Sequence, residues 1–168
     1  MTNAPDDLTI CRTTQEESAE TIWELCRELL DDGTTYIFLP DTPRAELIDY
    51  WFPNPGETYL AKIDGEAVGC YLLKPVHGGR GSHVANASYF VGGAARRLGV
   101  GRALAEHSIE TARRAGFEAM QFNLVVATNR GAIALWEDLG FRTIGTIPRA
   151  FDHSEMGLTD ALIMHRFL

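Results

Sequence analysis

The chain has 168 residues, 45% hydrophobic and 23% charged, and a formal net charge of −8 from 15 basic and 23 acidic side chains. That length and composition fit one domain over residues 1–168, and no apolar run approaches the ~20 residues that a membrane helix needs. The acidic balance argues against a nucleic-acid partner, which asks for lysine and arginine clustered over one face.

The polar, acidic start, Met1 to Asp7, has neither the basic flank nor the apolar core of a signal peptide, so the expected location is the cytoplasm. A strand is predicted around Leu8 to Thr13, followed by Thr14-Gln15-Glu16-Glu17, a capping box that opens a helix. Ala19, Ile22, Trp23, Cys26, Leu29 and Leu30 recur on one face of that helix, which should stop at Asp31-Asp32-Gly33. After a loop with Tyr36, Ile37 and Phe38, Thr42-Pro43 reads as N-cap and first position of a second helix through Trp51, ended by Pro53 to Gly56. Thr58 to Ile63 and Ala67 to Val76 read as strands joined by an Asp64-Gly65 hairpin turn, and His83 to Val91 as a third strand of an antiparallel meander.

The pattern then changes to strand, helix, strand, helix, strand, which implies parallel crossovers. Helix Gly101 to Ala115 buries Leu104, Ala105, Ile109 and Ala112, and Met120 to Val126 is a central strand. Asn129 caps a last helix that buries Ala132, Leu135, Trp136 and Leu139, and strands at Phe141 to Ile147 and Ala161 to Phe167 finish the chain. Cys11, Cys26 and Cys70 sit far apart in apolar segments, as buried thiols do, and no His, Cys or carboxylate pair has metal-ligand spacing, so no metal is expected.

The segment from Phe90 to Arg102 leads from a strand, through Gly92-Gly93-Ala94-Ala95-Arg96-Arg97-Leu98-Gly99-Val100-Gly101, into a helix. Small residues admit an anion to the backbone, and a helix start presents unpaired N–H groups and the positive end of its dipole. It is not a P-loop, since no Gly-Lys-Ser/Thr follows, and as a dinucleotide fingerprint it lacks the third glycine, Leu104 standing there. A plain glycine-rich connector with solvated arginines is the alternative.

Arg96-x-x-Gly99-x-Gly101 and Asn129-x-x-Ala132-x-x-Leu135-Trp136-x-x-x-Gly140-Phe141 together resemble the two signature segments of the GNAT acetyltransferase superfamily, in the superfamily's order of elements. The resemblance implies an α/β GNAT fold with a mixed sheet of about seven strands, antiparallel first and with parallel crossovers after, flanked by four helices. It also implies acetyl-CoA as co-substrate. Backbone groups of Tyr89, Phe90 and Val91 would hold the pantetheine arm, the Val91 N–H would polarise the thioester carbonyl, and amides from Arg97 through Leu98, Gly99, Val100 and Gly101 to Arg102 would hold the pyrophosphate. The side chains of Arg96, Arg97 and Arg102 would add positive charge, and Asn129 would reach the pantetheine or serve as a helix cap, or both. Trp136 stands where many relatives carry a tyrosine that protonates the leaving thiolate; an indole N–H is no acid near neutral pH, and the position also reads as plain core.

The strand His83 to Val91 carries no Asp or Glu to act as base, so an amine would be deprotonated through water or bind already neutral. Asn86 and Asn123, in central strands, need partners; they read either as structural amides or as groups positioning the acceptor. Ser82-His83-x-x-Asn86-Ala87 with Phe122-Asn123-Leu124-Val125 resembles the subgroup that contains the yeast acetyltransferase of azetidine-2-carboxylate, which implies a small amino- or imino-acid acceptor. Arg149, Phe151 and His153 are expected in a loop beside that acceptor, where Arg149 is either a carboxylate partner or a solvated charge. The reading is direct N-acetyl transfer to a small-molecule amine by a monomer or homodimer. The alternatives are transfer to peptides or proteins and a non-catalytic acyl-CoA sensor.

Overall fold

A computed structural model describes residues 4–168, so Met1, Thr2 and Asn3 of the polar start lie outside the described residues. The capping box forms as expected: the Glu17 N–H donates to Thr14 Oγ1 and the Thr14 N–H to Glu17 Oε2, opening α1 (Gln15–Cys26). The expected single helix is in two pieces, because the Leu30 N–H reaches only back to the Arg27 carbonyl. The second piece, α2 (Leu29–Asp32), is one turn closed by Gly33 at φ +56°. The next helix, α3 (Arg44–Trp51), starts later than predicted: Pro43 is its N-cap, and Thr42 Oγ1 instead accepts the Leu39 N–H.

Strands β1 (Thr9–Thr13), β2 (Glu57–Ile63), β3 (Glu66–Pro75) and β4 (Val84–Val91) form the antiparallel meander, in that order. The Asp64-Gly65 turn takes positive φ at both residues, as a type I′ hairpin requires. Helix α4 (Val100–Arg114) then crosses to β5 (Ala119–Val126), parallel to β4. Helix α5 (Arg130–Asp138) crosses to β6 (Arg142–His153), and β7 (Gly157–Phe167) returns antiparallel between β5 and β6, giving the order β1-β2-β3-β4-β5-β7-β6. Both crossovers therefore join strands of one direction.

The last hairpin overturns one expectation. Arg149, Phe151 and His153 lie in β6, not in a loop, because an edge strand tolerates Pro148 and absorbs Arg149, at φ +52°, as a bulge whose N–H donates to Asp160 Oδ1. Phe151 and His153 are buried.

Two apolar layers cover the sheet. Leu104, Ala105, Ile109 and Ala112 of α4 pack on Tyr71, Leu73, Ala85 and Ala87, while Ile22, Cys26, Leu47 and Trp51 of α1 and α3 pack on Cys70, Leu72 and Phe90. Cys26 and Cys70 touch at 3.5 Å between sulfurs, but Cys11 is exposed on β1, contrary to expectation. Among the described residues no helix is long and apolar enough to cross a membrane, and no three His, Cys, Asp or Glu are grouped to hold a metal.

Candidate active site

The site is made where β4 and β5 part. They pair only at Val84 with Ala119 and Ala85 with Met120; beyond that point the two strands run on to Val91 and Val126 without pairing to each other. Two features open this wedge. Between Phe122 and Val125 the β5 strand advances three residues while β7 advances two, from Met164 to Leu162, so Asn123 and Leu124 form a bulge that bends β5 away. At the apex, Asn86 Nδ2 donates to the Gln121 carbonyl at 2.8 Å, taking the next ladder position with a side chain.

Ladder alternation decides which backbone groups face the wedge. The Val76 N–H donates to Val84 O and the Gly92 N–H to Val68 O, so the even-numbered residues of β4 bond to β3 and the odd-numbered ones face the opposite way. Tyr89 and Val91 thus present N–H and C=O to the wedge. Phe90 borders the cavity, but its backbone is turned toward Cys70, which corrects the expectation that it offers a bond. The Tyr89 carbonyl accepts the Tyr36 hydroxyl, and the Val91 carbonyl accepts Arg96 Nε at 3.4 Å.

One side of the wedge opens into a cavity of about 640 Å³ bordered by Arg96, Arg97, Gly99, Gly101 and Arg102. Gly99, at φ +81°, is the N-cap of α4, and the first helical bond is donated by Ala103, so the N–H groups of Val100, Gly101 and Arg102 have no helical acceptor. A Cβ on Gly101 would meet only Val91 Cγ2, at 3.8 Å, so the glycine leaves open space over these donors. That arrangement fits a pyrophosphate. Leu98 departs from the expectation: its N–H donates to Ala95 O and it does not line the cavity, while the Val100 side chain is buried in the core. The arginine charge is also partly offset, Arg96 by Glu28 at 3.4 Å and Arg102 by Glu106 and Asp138.

The other side is a cavity of about 390 Å³ lined by Asn86, Ser88 and Lys74 from the sheet, Asn123 from the bulge, Tyr50 from α3 and Trp136 from α5. The two cavities meet at Thr35, Tyr36, Tyr89, Asn129 and Ala132. Asn129 is a helix cap, its Oδ1 accepting the Ala132 N–H at 3.1 Å, which leaves Nδ2 for the junction. Asn123 Oδ1 accepts Gln121 Nε2 at 2.8 Å. Trp136 is buried against Tyr89 and Phe122, ring centroids 4.9 and 4.6 Å away, so it is core and cavity wall together.

Tyr36, Tyr50 and Lys74 were not singled out from the sequence. The signals were an aromatic run after Gly33 and one charge in an apolar strand. Asp32 shapes the loop that carries Tyr36: its carboxylate accepts the N–H and hydroxyl groups of Thr34 and Thr35. Burial opposes ionisation there, but these four bonds outweigh it and hold the carboxyl below its ordinary pKa. Burial pushes the Tyr36 hydroxyl well above the usual tyrosine value, with Tyr50 adding to the effect, so it stays protonated and donates. Arg149 lines neither cavity; Phe151 and His153 line a separate one against Phe38 and Leu39.

A mixed sheet with parallel crossovers and a glycine-capped helix start is the architecture that the resemblance to the GNAT acetyltransferases implies. Residues 23–141 match the acetyltransferase (GNAT) family, and the chain belongs to that family, whose acyl donor is acetyl-CoA. Among solved structures, a GCN5-related N-acetyltransferase from Kribbella flavida is 39% identical, with a TM-score of 0.90 over 98% of this chain and 100% of that one. N-acetyltransferase aca1 of Schizosaccharomyces pombe is 34% identical over 81% of this chain and 73% of its own length. A phosphinothricin acetyltransferase from Sinorhizobium meliloti, solved with acetyl-CoA, shares the fold at a TM-score of 0.82 and 20% identity, over 96% of this chain and 89% of that one.

Proposed function

We propose that this N-acetyltransferase moves the acetyl group of acetyl-CoA directly to the amine of a small molecule, in the class of amino and imino acids. The observation that carries the reading is the meeting of two unlike cavities in one wedge: the first suits a pyrophosphate, and the second offers polar strand residues without a carboxylate. The pantetheine arm lies along β4 as an added strand against Tyr89 and Val91, and the Val91 N–H polarises the thioester carbonyl. Asn129 Nδ2 holds the arm where the cavities meet.

The acceptor nitrogen attacks the thioester carbon; a C–N bond forms, the C–S bond breaks, the nitrogen gives up one N–H proton to water, and CoA leaves as thiolate. Among the described residues no Asp, Glu or His lines the acceptor side, so the amine reacts in its neutral form, having lost its ammonium proton to water. Trp136 has no proton to give near neutral pH, and water protonates the thiolate. The likeness of the Asn86 and Asn123 segments to the azetidine-2-carboxylate subgroup supports the acceptor class. An acetyl-CoA-dependent thiol-release screen over amino and imino acids, polyamines, aminoglycosides and peptides tests the reading. Release with amino or imino acids supports it, release only with peptides moves the acceptor to proteins, and tight donor binding without release points to a sensor.

A further inference from the structure

We propose that Lys74 determines acceptor specificity by pairing its ammonium with a carboxylate on the acceptor; this rests on reading the smaller cavity as the acceptor site. Tyr71 sends its hydroxyl to His107 on α4, so Cys70, Leu72 and Lys74 lie on the other face of β3, with Cys70 and Leu72 in the apolar layer under α1 and α3. Lys74 ends that row, half-buried where the layer opens into the cavity, directly opposite Asn86.

Among the described residues, Lys74 is the only charged side chain lining this cavity. A half-buried ammonium facing a cavity without a carboxylate is completed by an anion brought by the ligand. Asn86 supplies the complementary group: with Nδ2 committed to the Gln121 carbonyl, its Oδ1 remains to accept an amine N–H. Opposed cross-strand residues have Cβ atoms about 5 Å apart on one face, so the two side chains start from neighbouring points of the cavity wall and can reach the two ends of one amino acid. The same cation repels polycationic amines. The carboxylate partner is thus Lys74 in β3, rather than Arg149, which lies outside the cavity.

The test compares free amino and imino acids with their methyl esters as acceptors for the full-length enzyme. The wild type should prefer acids roughly 10- to 100-fold in kcat/KM, chiefly through KM, the effect of one charge-assisted pair. Lys74→Met should bring the acid-to-ester ratio near one, and Lys74→Arg should keep most of it. Calorimetric titration of the acid into CoA-saturated Lys74→Met protein should show the matching loss, whatever that variant's turnover. Equal use of acids and esters by the wild type, or an unchanged preference in a folded Lys74→Met or Lys74→Gln variant, overturns the assignment while acetyl transfer stands. Transfer to no amine at all overturns both readings.

Discussion

Gly101 separates what the fold needs from what the donor needs. It is the second residue of α4, its φ is not in the left-handed region, and an added Cβ would find only Val91 Cγ2 at 3.8 Å. The fold therefore does not require glycine there, and helix propensity alone makes Gly101→Ala more stable by about 0.5–1 kcal/mol, a Tm rise of roughly 1–4 °C. Gly101→Glu should also fold well, because a carboxylate in the first helical turn gains about 0.3–1 kcal/mol from the dipole. Both should nevertheless weaken acetyl-CoA. The methyl group fills space over the unpaired N–H groups, and a carboxylate ~6 Å from a phosphate charge costs about 3 kcal/mol at an effective dielectric of 20, roughly 100-fold in Kd. Calorimetric titration with acetyl-CoA, beside thermal melts without it, reads both quantities. Undiminished affinity in folded Gly101→Glu protein would refute the pyrophosphate site. Gly99 is a poorer probe, since at φ +81° any side chain adds strain of its own.

Asn129→Asp keeps the cap oxygen for the Ala132 N–H but removes Nδ2, so stability should hold while KM for acetyl-CoA rises; Asn129→Ala should lose about 1 kcal/mol of stability as well. An unchanged donor KM in the aspartate variant would reduce Asn129 to a cap. Trp136→Phe should lower kcat by less than the ~100-fold or more that losing a general acid brings; a larger fall, without loss of fold, would make Trp136 part of the proton path. Because no His, Asp or Glu among the described residues lines the acceptor cavity, kcat/KM should climb with pH and bend at the pKa of each acceptor's own amine. A bend at about pH 6 to 7 shared by every acceptor would instead reveal a histidine base.

The donor side was legible because it is local. A capping box, an Asp-Gly turn and a glycine before a helix each act within a few residues, and Gly99, Gly101 and Asn129 stand where such rules put them. What escaped was non-local or depended on direction. That Phe90 turns its backbone to β3 while Tyr89 and Val91 face the wedge follows from the ladder's phase, set by Val68 and Val76 in another strand. Lys74 gains meaning only through its register with Asn86, and Tyr36 only because the loop after Gly33 folds over the Tyr89 carbonyl. Arg149 lies in the edge strand β6, which takes in Pro148 and the bulge after it, so its distance from the acceptor cavity depends on pairing with β7 that no local residue pattern announces.

The proposed direct transfer within the wedge leaves no acetyl group on the protein at any stage. Rapid-quench single turnover with acetyl-labelled donor and an amino- or imino-acid acceptor follows the label in both product and protein. Direct transfer predicts an N-acetylated acceptor appearing in step with free CoA while the intact protein's mass stays unchanged throughout. Label accumulating on the protein before the acceptor, or CoA released without an acetylated amine, would contradict it.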